Sequence, residues 1–210
     1  MHLPLPTEAM PEATSEAEPE KITPNGLVLL VLGGPGSGKD TQCERLAAKY
    51  GCVHLSSTEL MRTAVTSNSQ QGAMISNMIR AGQIVPAQVT LDLLKAEMQQ
   101  GTGPYLVQGY PKTLDNLKAL EAQCGACGAA LNLQLSEAVL TERLVERGKT
   151  SNRTDDSPEA IARRFKTFQT QSMPVVDELH ARGVVTTVDA AQPVEAVFEA
   201  ACAFYDKAVG

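Results

Sequence analysis

The chain has 210 residues, enough for one sizeable core, and that core must be largely aliphatic because aromatic residues make up only 4%. The formal net charge of -6 argues against a general nucleic-acid-binding or membrane-surface protein, so an anionic ligand would need a local cluster of cations. Five scattered cysteines without a secretory signal favour reduced thiols, and we expect a cytoplasmic protein.

Residues 1–24 have the composition of a solvated tail. Prolines and glutamates dominate this stretch, and no lysine or arginine precedes Lys21. Such a segment cannot bury enough apolar surface to order itself. We therefore predict an acidic, proline-rich, disordered tail at 1–24 and a folded domain at 25–210. No stretch of the sequence is long and apolar enough to span a membrane, so we expect no membrane partner.

From Gly26 onward, apolar runs that predict strands alternate with segments of helical spacing. The runs are GLVLLVLGG, CVHL, PYLVQGYP, AALNLQL and GVVTTVD. Predicted helices lie between them, the first in KDTQCERLAAKYG and a longer one opened by Pro86. This alternation predicts an α/β fold with a parallel sheet covered by helices on both faces. Ligands of such sheets bind beyond the carboxyl ends of the strands.

The segment VLGGPGSGKDTQ, residues 31–42, joins the first predicted strand to the first predicted helix. Gly33, Gly38 and Lys39 fit the spacing G-x-x-x-x-G-K of a phosphate-binding loop (P-loop). In such a loop, backbone N–H groups and a helix N-terminus face the phosphate oxygens, and Lys39 would reach the β- and γ-phosphates. Asp40 stands where a serine or threonine would hold a magnesium ion, which is unexpected for a polyphosphate site.

A cluster of arginines follows in TERLVERGKTSNRTDDSPEAIARRF. Arg143 and Arg147 lie four residues apart and so share one helix face, and a flexible loop separates Arg147 from Arg153. Together with Arg164, these residues predict a clamp on phosphate groups, because phosphoryl transfer requires positioned cations that neutralise the moving group. Arg163 by itself fits a solvated helix face.

The motifs GGPGSGKDTQC, HLSSTELMR, GQIVP, QGYPKTLDN and RGKTSNRTDD follow one another along the chain. In this combination, residues 27–207 resemble the adenylate kinase and UMP/CMP kinase family in its short-lid form. The resemblance implies a P-loop NTP-hydrolase-like fold with a five-stranded parallel sheet. It implies a subdomain at 56–85 that binds a nucleoside monophosphate (NMP) and a lid at 147–156. It also implies a monomer, without a nucleic-acid partner, that transfers the γ-phosphoryl group of ATP to an NMP with Mg2+ as cofactor.

The resemblance further implies roles for individual residues, position by position. The ATP-binding residues would be Gly33, Gly34, Pro35, Gly36, Ser37, Gly38, Lys39, Asp40, Thr41, Arg143 and Arg147. The NMP-binding residues would be Ser57, Arg62, Gln83, Ile84, Val85, Gly109, Lys112, Asn116, Arg153 and Arg164, with Gly82 in the same loop as Gln83. Catalysis would rest on Lys39, Lys112, Arg147, Arg153 and Arg164, and Asp155 and Asp156 would help to close the lid.

Four positions close to the presumed chemistry depart from the family pattern, and one of them is Thr58, which replaces a glycine. Asp40 replaces a glycine, Gln108 replaces an aspartate that helps to hold the water shell of the magnesium ion, and Lys112 replaces an arginine. We hypothesise that Asp40 takes over part of the metal role lost at Gln108, since an unmatched carboxylate would repel polyphosphate. Lysine offers a point charge where arginine offers a fork, so we expect a slower or less selective acceptor site.

Two questions stay open at this point. Asp115 and Asn116 match UMP/CMP kinases, whereas Ser57 stands where adenylate kinases have threonine and the pyrimidine group has alanine, so the acceptor is AMP or CMP/UMP. The alternative to an active enzyme is a degenerate member that binds nucleotide with weak or no catalysis. The retained Lys39, Arg62 and lid arginines favour the enzyme, whereas the departures at Asp40, Gln108, Lys112 and Thr58 are what a degenerate member would show.

Two further features of the sequence, a cysteine pair and a histidine, fit ordinary structural roles. Cys124 and Cys127 in CGAC have the spacing of metal ligands but lack the further ligands that a structural zinc site needs, so we expect no metal there. His54 lies in a short predicted strand, and we expect a structural rather than a catalytic role for it.

Overall fold

The computed structural model describes residues 26–67, 69–81, 83–149 and 157–210. Five strands form one sheet, in the spatial order β2-β3-β1-β4-β5. They are β1 (Val28–Gly33), β2 (Val53–Ser56), β3 (Tyr105–Gln108), β4 (Ala129–Gln134) and β5 (Val185–Asp189). All neighbouring strands are parallel, which confirms the predicted α/β fold. The predicted tail, Gly82, Arg153, Asp155 and Asp156 lie outside the described residues.

Helices connect the strands and cover both faces of the sheet. They are α1 (Lys39–Tyr50), α2 (Ser57–Thr66), α3 (Gln70–Arg80), α4 (Ala87–Gln100), α5 (Leu114–Cys124), α6 (Glu137–Gly148), α7 (Pro158–Thr167), α8 (Met173–Ala181) and α9 (Val194–Val209). A π-helical segment, Phe168–Ser172, joins α7 to α8. Among the described residues, no helix combines the length and the apolar character that crossing a membrane requires.

The starts of several helices are encoded locally. A serine or threonine side chain immediately before the helix accepts a hydrogen bond from a backbone N–H of the first turn, which satisfies a group that has no partner within the helix. The residues that do this are Ser56, Ser69, Thr113, Ser136 and Ser157. Gly38 instead precedes α1 without a side-chain cap, so the N-terminal N–H groups of α1 receive no side-chain oxygen from that position.

The central strand β1 contributes to two separate cores because its side chains alternate between the two faces of the sheet. Leu29 and Val31 belong to the core beneath α1 and α9, whereas Leu30 and Leu32 belong to the core beneath α4, α5 and α8. All four side chains are buried. A strand covered on both faces has no solvent side, which explains why its run of residues is uniformly apolar.

Two smaller clusters support the elements near the carboxyl edge of the sheet. Met61 of α2 packs with Ile75 of α3 and with Val85. Leu144 of α6 packs with Phe165 of α7. The side chain of Leu144 also lies against Gly36, in the loop that follows β1.

Candidate active site

The loop that follows β1 turns back on itself before it enters α1. The N–H of Ser37 donates to the carbonyl oxygen of Gly34 at 3.2 Å, and the N–H of Gln42 donates to that of Gly38 at 3.1 Å. Gly33 has a φ of 138° and Gly38 a φ of 88°, which side-chain-bearing residues rarely adopt. The glycines therefore allow the turn that presents the N-terminus of α1, a favourable place for an anion.

Two glycines of the loop lie directly against neighbouring elements. A Cβ atom added to Gly33 would lie 2.6 Å from the carbonyl oxygen of Leu133 in β4. A Cβ atom added to Gly36 would lie 3.0 Å from Cγ of Leu144 in α6. Gly33 leaves no room for a side chain, whereas at Gly36 the side chain of Leu144 would have to move by a few tenths of an ångström. The loop therefore packs closely on β4 and α6.

The side chain of Lys39 folds back into this loop. Its Nζ atom donates to the carbonyl oxygens of Gly33 and Gly34, both at 2.8 Å, and to Oγ of Ser37 at 3.3 Å. Burial lowers the pKa of Lys39 to about 8, the charge of Asp40 acts against this, and the charges of Arg164 and Lys112 add to it. A nearby polyphosphate would favour the charged form of Lys39 again.

Asp40 and Gln108, which both depart from the family pattern, are in contact beside the loop. Nε2 of Gln108 donates a hydrogen bond to Oδ1 of Asp40. The other end of the same amide, Oε1, lies 3.0 Å from Nε2 of His54 in β2. Gln108 is only 4% exposed. The structural role expected of His54 stays a prediction. The sequence contains no local signal for its link to Asp40 through Gln108.

A cleft opens between the loop, α2, α3 and α7. Its lining includes candidates from both predicted nucleotide sites: Gly33, Pro35, Gly36, Lys39, Asp40, Arg62, Gln83, Ile84, Val85, Gly109, Lys112, Arg147 and Arg164. Residues from distant parts of the sequence meet here because the carboxyl ends of β1 and β3 are adjacent in the sheet. The cleft can therefore bring a P-loop and several cations to one anionic ligand.

Other candidates lie outside the lining of the cleft: Gly34, Ser37, Gly38, Thr41, Ser57, Arg143 and Asn116. Nη2 of Arg143 donates to the carbonyl oxygen of Ala190 at 3.0 Å and so contacts the loop after β5. Ser57 is fully buried. Arg153 lies outside the described residues, so its predicted part in both catalysis and binding stays a prediction.

Asn116 lies buried near the start of α5. Its Oδ1 atom accepts a hydrogen bond from the backbone N–H of Lys112 at 3.2 Å, and its own N–H donates to Oγ1 of Thr113 at 3.0 Å. The carbonyl end of the amide thus supports the backbone of Lys112. Asn116 lies outside the lining of the cleft, so its part in binding the NMP stays a prediction.

The end of α7 and the π-helical segment bring residues to the cleft that the sequence did not single out. Thr167, Phe168 and Ser172 line it, and Oγ of Ser172 donates to the carbonyl oxygen of Lys112 at 3.1 Å. Arg163 is exposed, as expected for a solvated helix face, but it also donates to the carbonyl oxygen of Arg80 at 3.3 Å. No residue type marks a π-helical turn, so the sequence holds no signal for this segment.

The thiols of Cys124 and Cys127 are free and partly buried. Burial raises the pKa of Cys124 and that of Cys127, the latter to about 11, so both thiols are poor nucleophiles at neutral pH. In the part of the chain that the structure describes, no group of three His, Cys, Asp or Glu side chains could hold a metal ion. A divalent metal in the cleft would therefore be held mainly by phosphate and water oxygens.

Comparison with known proteins gives a consistent result. Residues 31–184 match the family model of adenylate kinase. The chain is 41% identical over 175 residues to adenylate kinase 1 of Schistosoma mansoni, which covers 82% of this chain and 89% of that protein. It is 42% identical over 174 residues to UMP-CMP kinase 3 of Arabidopsis thaliana, covering 82% and 85% of the two chains. Adenylate kinase isoenzyme 1 of Homo sapiens is 37% identical over 183 residues, covering 85% and 94%.

The similarity extends over most of the chain and includes the P-loop and the elements that line the cleft. Enzymes of this family use ATP with a divalent metal ion and bind a nucleoside monophosphate. Nothing in these similarities favours a catalytically degenerate relative. The chain therefore belongs to the adenylate kinase family of nucleoside monophosphate kinases.

Proposed function

We propose that this chain transfers the γ-phosphoryl group of ATP, bound with Mg2+, to AMP or to CMP/UMP. The observation that carries the proposal is the convergence of Lys39, Lys112, Arg147 and Arg164 on one cleft beside the P-loop. These cations come from four separate places in the fold, although the whole chain has a net charge of -6. Such a local concentration of positive charge suits a polyphosphate ligand.

The chemistry fits this arrangement because phosphoryl transfer depends on positioning and charge neutralisation more than on covalent catalysis. Lys39 would bind the β- and γ-phosphates, and Lys112 would bind the phosphate of the acceptor. Arg147 and Arg164, together with Arg153, would neutralise the group in transit. We assign no general base, because holding the acceptor oxygen in line with the γ-phosphate is what these side chains supply.

The donor and the acceptor would occupy two sides of the cleft. On the donor side, residues 33–41 would bind the phosphates of ATP through backbone N–H groups, with Arg143 and Arg147 beside the nucleotide. On the acceptor side, the subdomain at 56–85 and the residues after β3 would bind the NMP. The contributors there would be Ser57, Arg62, Gln83, Ile84, Val85, Gly109, Lys112, Asn116, Arg153 and Arg164. A lid at 147–156 would close over ATP.

The residues beside the P-loop fit a magnesium ion that arrives with ATP. Asp40 lines the cleft, and its Oδ1 atom accepts the hydrogen bond from Gln108. Mg2+ prefers oxygen ligands and usually keeps several waters, so one carboxylate beside the phosphates is sufficient. Asp40 would hold part of that water shell. When bound, the ion would supply positive charge to the phosphate oxygens.

The base of the acceptor is tested by an assay of nucleoside diphosphate formation from ATP with AMP, CMP, UMP or GMP in turn. The similarity to an adenylate kinase at 41% and to a UMP-CMP kinase at 42% supports both candidate acceptors about equally. We expect turnover with AMP alone or with CMP and UMP, and none with GMP. Turnover with no NMP, by protein that binds ATP, would contradict the proposed function.

The same proposal includes a monomeric state, a cytoplasmic location and a solvated tail at 1–24. The monomeric state rests on the resemblance, and the location and the solvated tail rest on composition. Sedimentation of the full chain tests the first of these, since a monomer has a mass of 22.3 kDa. A stable species of twice that mass would contradict it.

A further inference from the structure

Two residues that are distant in sequence share one hydrogen bond beside the P-loop. Gln108 ends β3, and Asp40 lies in the first turn of α1. Because β1 and β3 are paired with Val31 opposite Gln108, the carboxyl end of β3 lies beside the loop that leads into α1. The side chains meet there, and Nε2 of Gln108 donates to Oδ1 of Asp40.

The orientation of the Gln108 amide follows from its two partners. A carboxylate can only accept hydrogen bonds, so the amino end of the amide must face Asp40. The carbonyl end then faces Nε2 of His54 at 3.0 Å, and this contact is a hydrogen bond only when His54 carries its proton on that nitrogen. Hydrogen bonds therefore run in one direction, from His54 through Gln108 to Asp40.

We propose that Gln108 and His54 are positioning residues that hold the Asp40 carboxylate toward the metal that accompanies ATP. This inference rests on the proposed function above. Gln108 is 4% exposed, so its amide has little freedom to turn, and Gln108 and Asp40 both line the cleft. The carboxylate is supplied by α1, and the residue at the end of β3 determines where it lies.

A consequence is that positions 40 and 108 are coupled. A leucine at 108 would remove the N–H that Asp40 accepts from without adding a charge beside the carboxylate. If Gln108 acts only by holding Asp40, the loss of Gln108 costs nothing further once Asp40 is replaced by glycine.

The test measures the affinity for ATP by calorimetry in excess Mg2+ and again in EDTA. We define the magnesium gain as the dissociation constant in EDTA divided by the dissociation constant in Mg2+. This quantity does not depend on turnover. The variants are Asp40→Gly, Gln108→Leu and the double variant, with Glu44→Gln as a control that removes an exposed carboxylate one turn along α1. A cycle of this kind isolates the interaction between the two positions.

We expect Asp40→Gly to lower the magnesium gain about tenfold and Gln108→Leu to lower it about as much. The double variant should lose no more than Asp40→Gly alone, to within about threefold, and Glu44→Gln should leave the gain unchanged. Losses that simply multiply in the double variant would overturn the inference. Thermal unfolding of each variant verifies that the protein is folded during the measurement.

His54 provides a second test that leaves both cleft residues intact. His54→Phe cannot donate to Oε1 of Gln108, whereas His54→Gln can donate through its own amide. We expect a reduced magnesium gain for His54→Phe and recovery for His54→Gln. Equal gains in both variants would overturn the inference. If the unmodified protein binds ATP but transfers no phosphoryl group, the proposed function fails separately, because the magnesium gain is measured without an acceptor.

Discussion

The ammonium group of Lys39 lies 2.8 Å from the carbonyl oxygen of Gly33 and at the same distance from that of Gly34. Both carbonyl groups are neutral acceptors, and burial lowers the pKa of Lys39 to about 8. A polyphosphate beside the ammonium group stabilises its charged form, so the pKa of Lys39 rises when ATP binds.

We therefore predict that ATP binding near pH 8 takes up protons. In the ligand-free protein Lys39 is about half protonated at that pH, and in the complex it is fully protonated, so uptake approaches half a proton per ATP. At about pH 6 the group is charged in both states and contributes no uptake. Above about pH 8 Lys39 is mostly neutral in the free protein and must take up a proton when ATP binds. The free-energy cost of this proton uptake grows with pH, so the affinity for ATP falls.

Calorimetry in buffers with different ionisation enthalpies measures this uptake. Lys39→Arg is the matched control, because its guanidinium stays charged throughout this range. The difference in uptake between the two proteins reports on Lys39 alone. Equal uptake near pH 8 by both proteins would show that the pKa of Lys39 does not change on binding.

A second prediction concerns the glycines of the P-loop. Gly38 and Gly33 both have positive φ, but an added Cβ meets nothing within 4 Å at Gly38 and lies 2.6 Å from the carbonyl oxygen of Leu133 at Gly33. Gly38→Ala should lower the free energy of unfolding by about 1 kcal/mol through backbone strain alone. Gly33→Ala should lower it by a further ~1–3 kcal/mol because of the clash. Urea denaturation compares the two, and equal losses would contradict the packing described for Gly33.

A third prediction separates the two ends of the Asn116 amide. Asn116→Asp keeps an oxygen that accepts from the N–H of Lys112, but it replaces the amino group with a second acceptor. Asn116→Ala loses the acceptor oxygen as well as the amino group. We expect Asn116→Asp to unfold near the temperature of the unmodified protein while its KM for the acceptor rises about tenfold. Asn116→Ala should also lose stability. An unchanged acceptor KM in Asn116→Asp would mean that the amino end does not contact the NMP.

Much of the fold follows from local patterns in the sequence. The run GLVLLVLGG contains β1, and its lack of polar residues reflects the cores on both sides of the sheet. Gly51 ends α1 with a positive φ of 68°, as the glycine after a helical pattern predicts. Such features depend on neighbours in the chain, so one sequence is sufficient to find them.

The contacts that shape the site depend on strand order and register instead. Gln108 meets Asp40 only because β3 lies next to β1, and meets His54 only because β2 lies next to β3. Nothing in the local sequence specifies either neighbour. The sequence supports the hypothesis that Asp40 takes over part of the metal role lost at Gln108. It does not reveal that the two side chains are in contact.

The central claim is that this cleft moves the γ-phosphoryl group of ATP to an NMP. The most direct measurement incubates the protein with ATP radiolabelled in the γ-phosphate, excess Mg2+ and each NMP, and follows the label. We predict that it appears in the β-phosphate of the nucleoside diphosphate formed from the acceptor, and that Lys39→Ala abolishes this transfer. Label released only as inorganic phosphate, or transfer that persists in Lys39→Ala, would contradict the account.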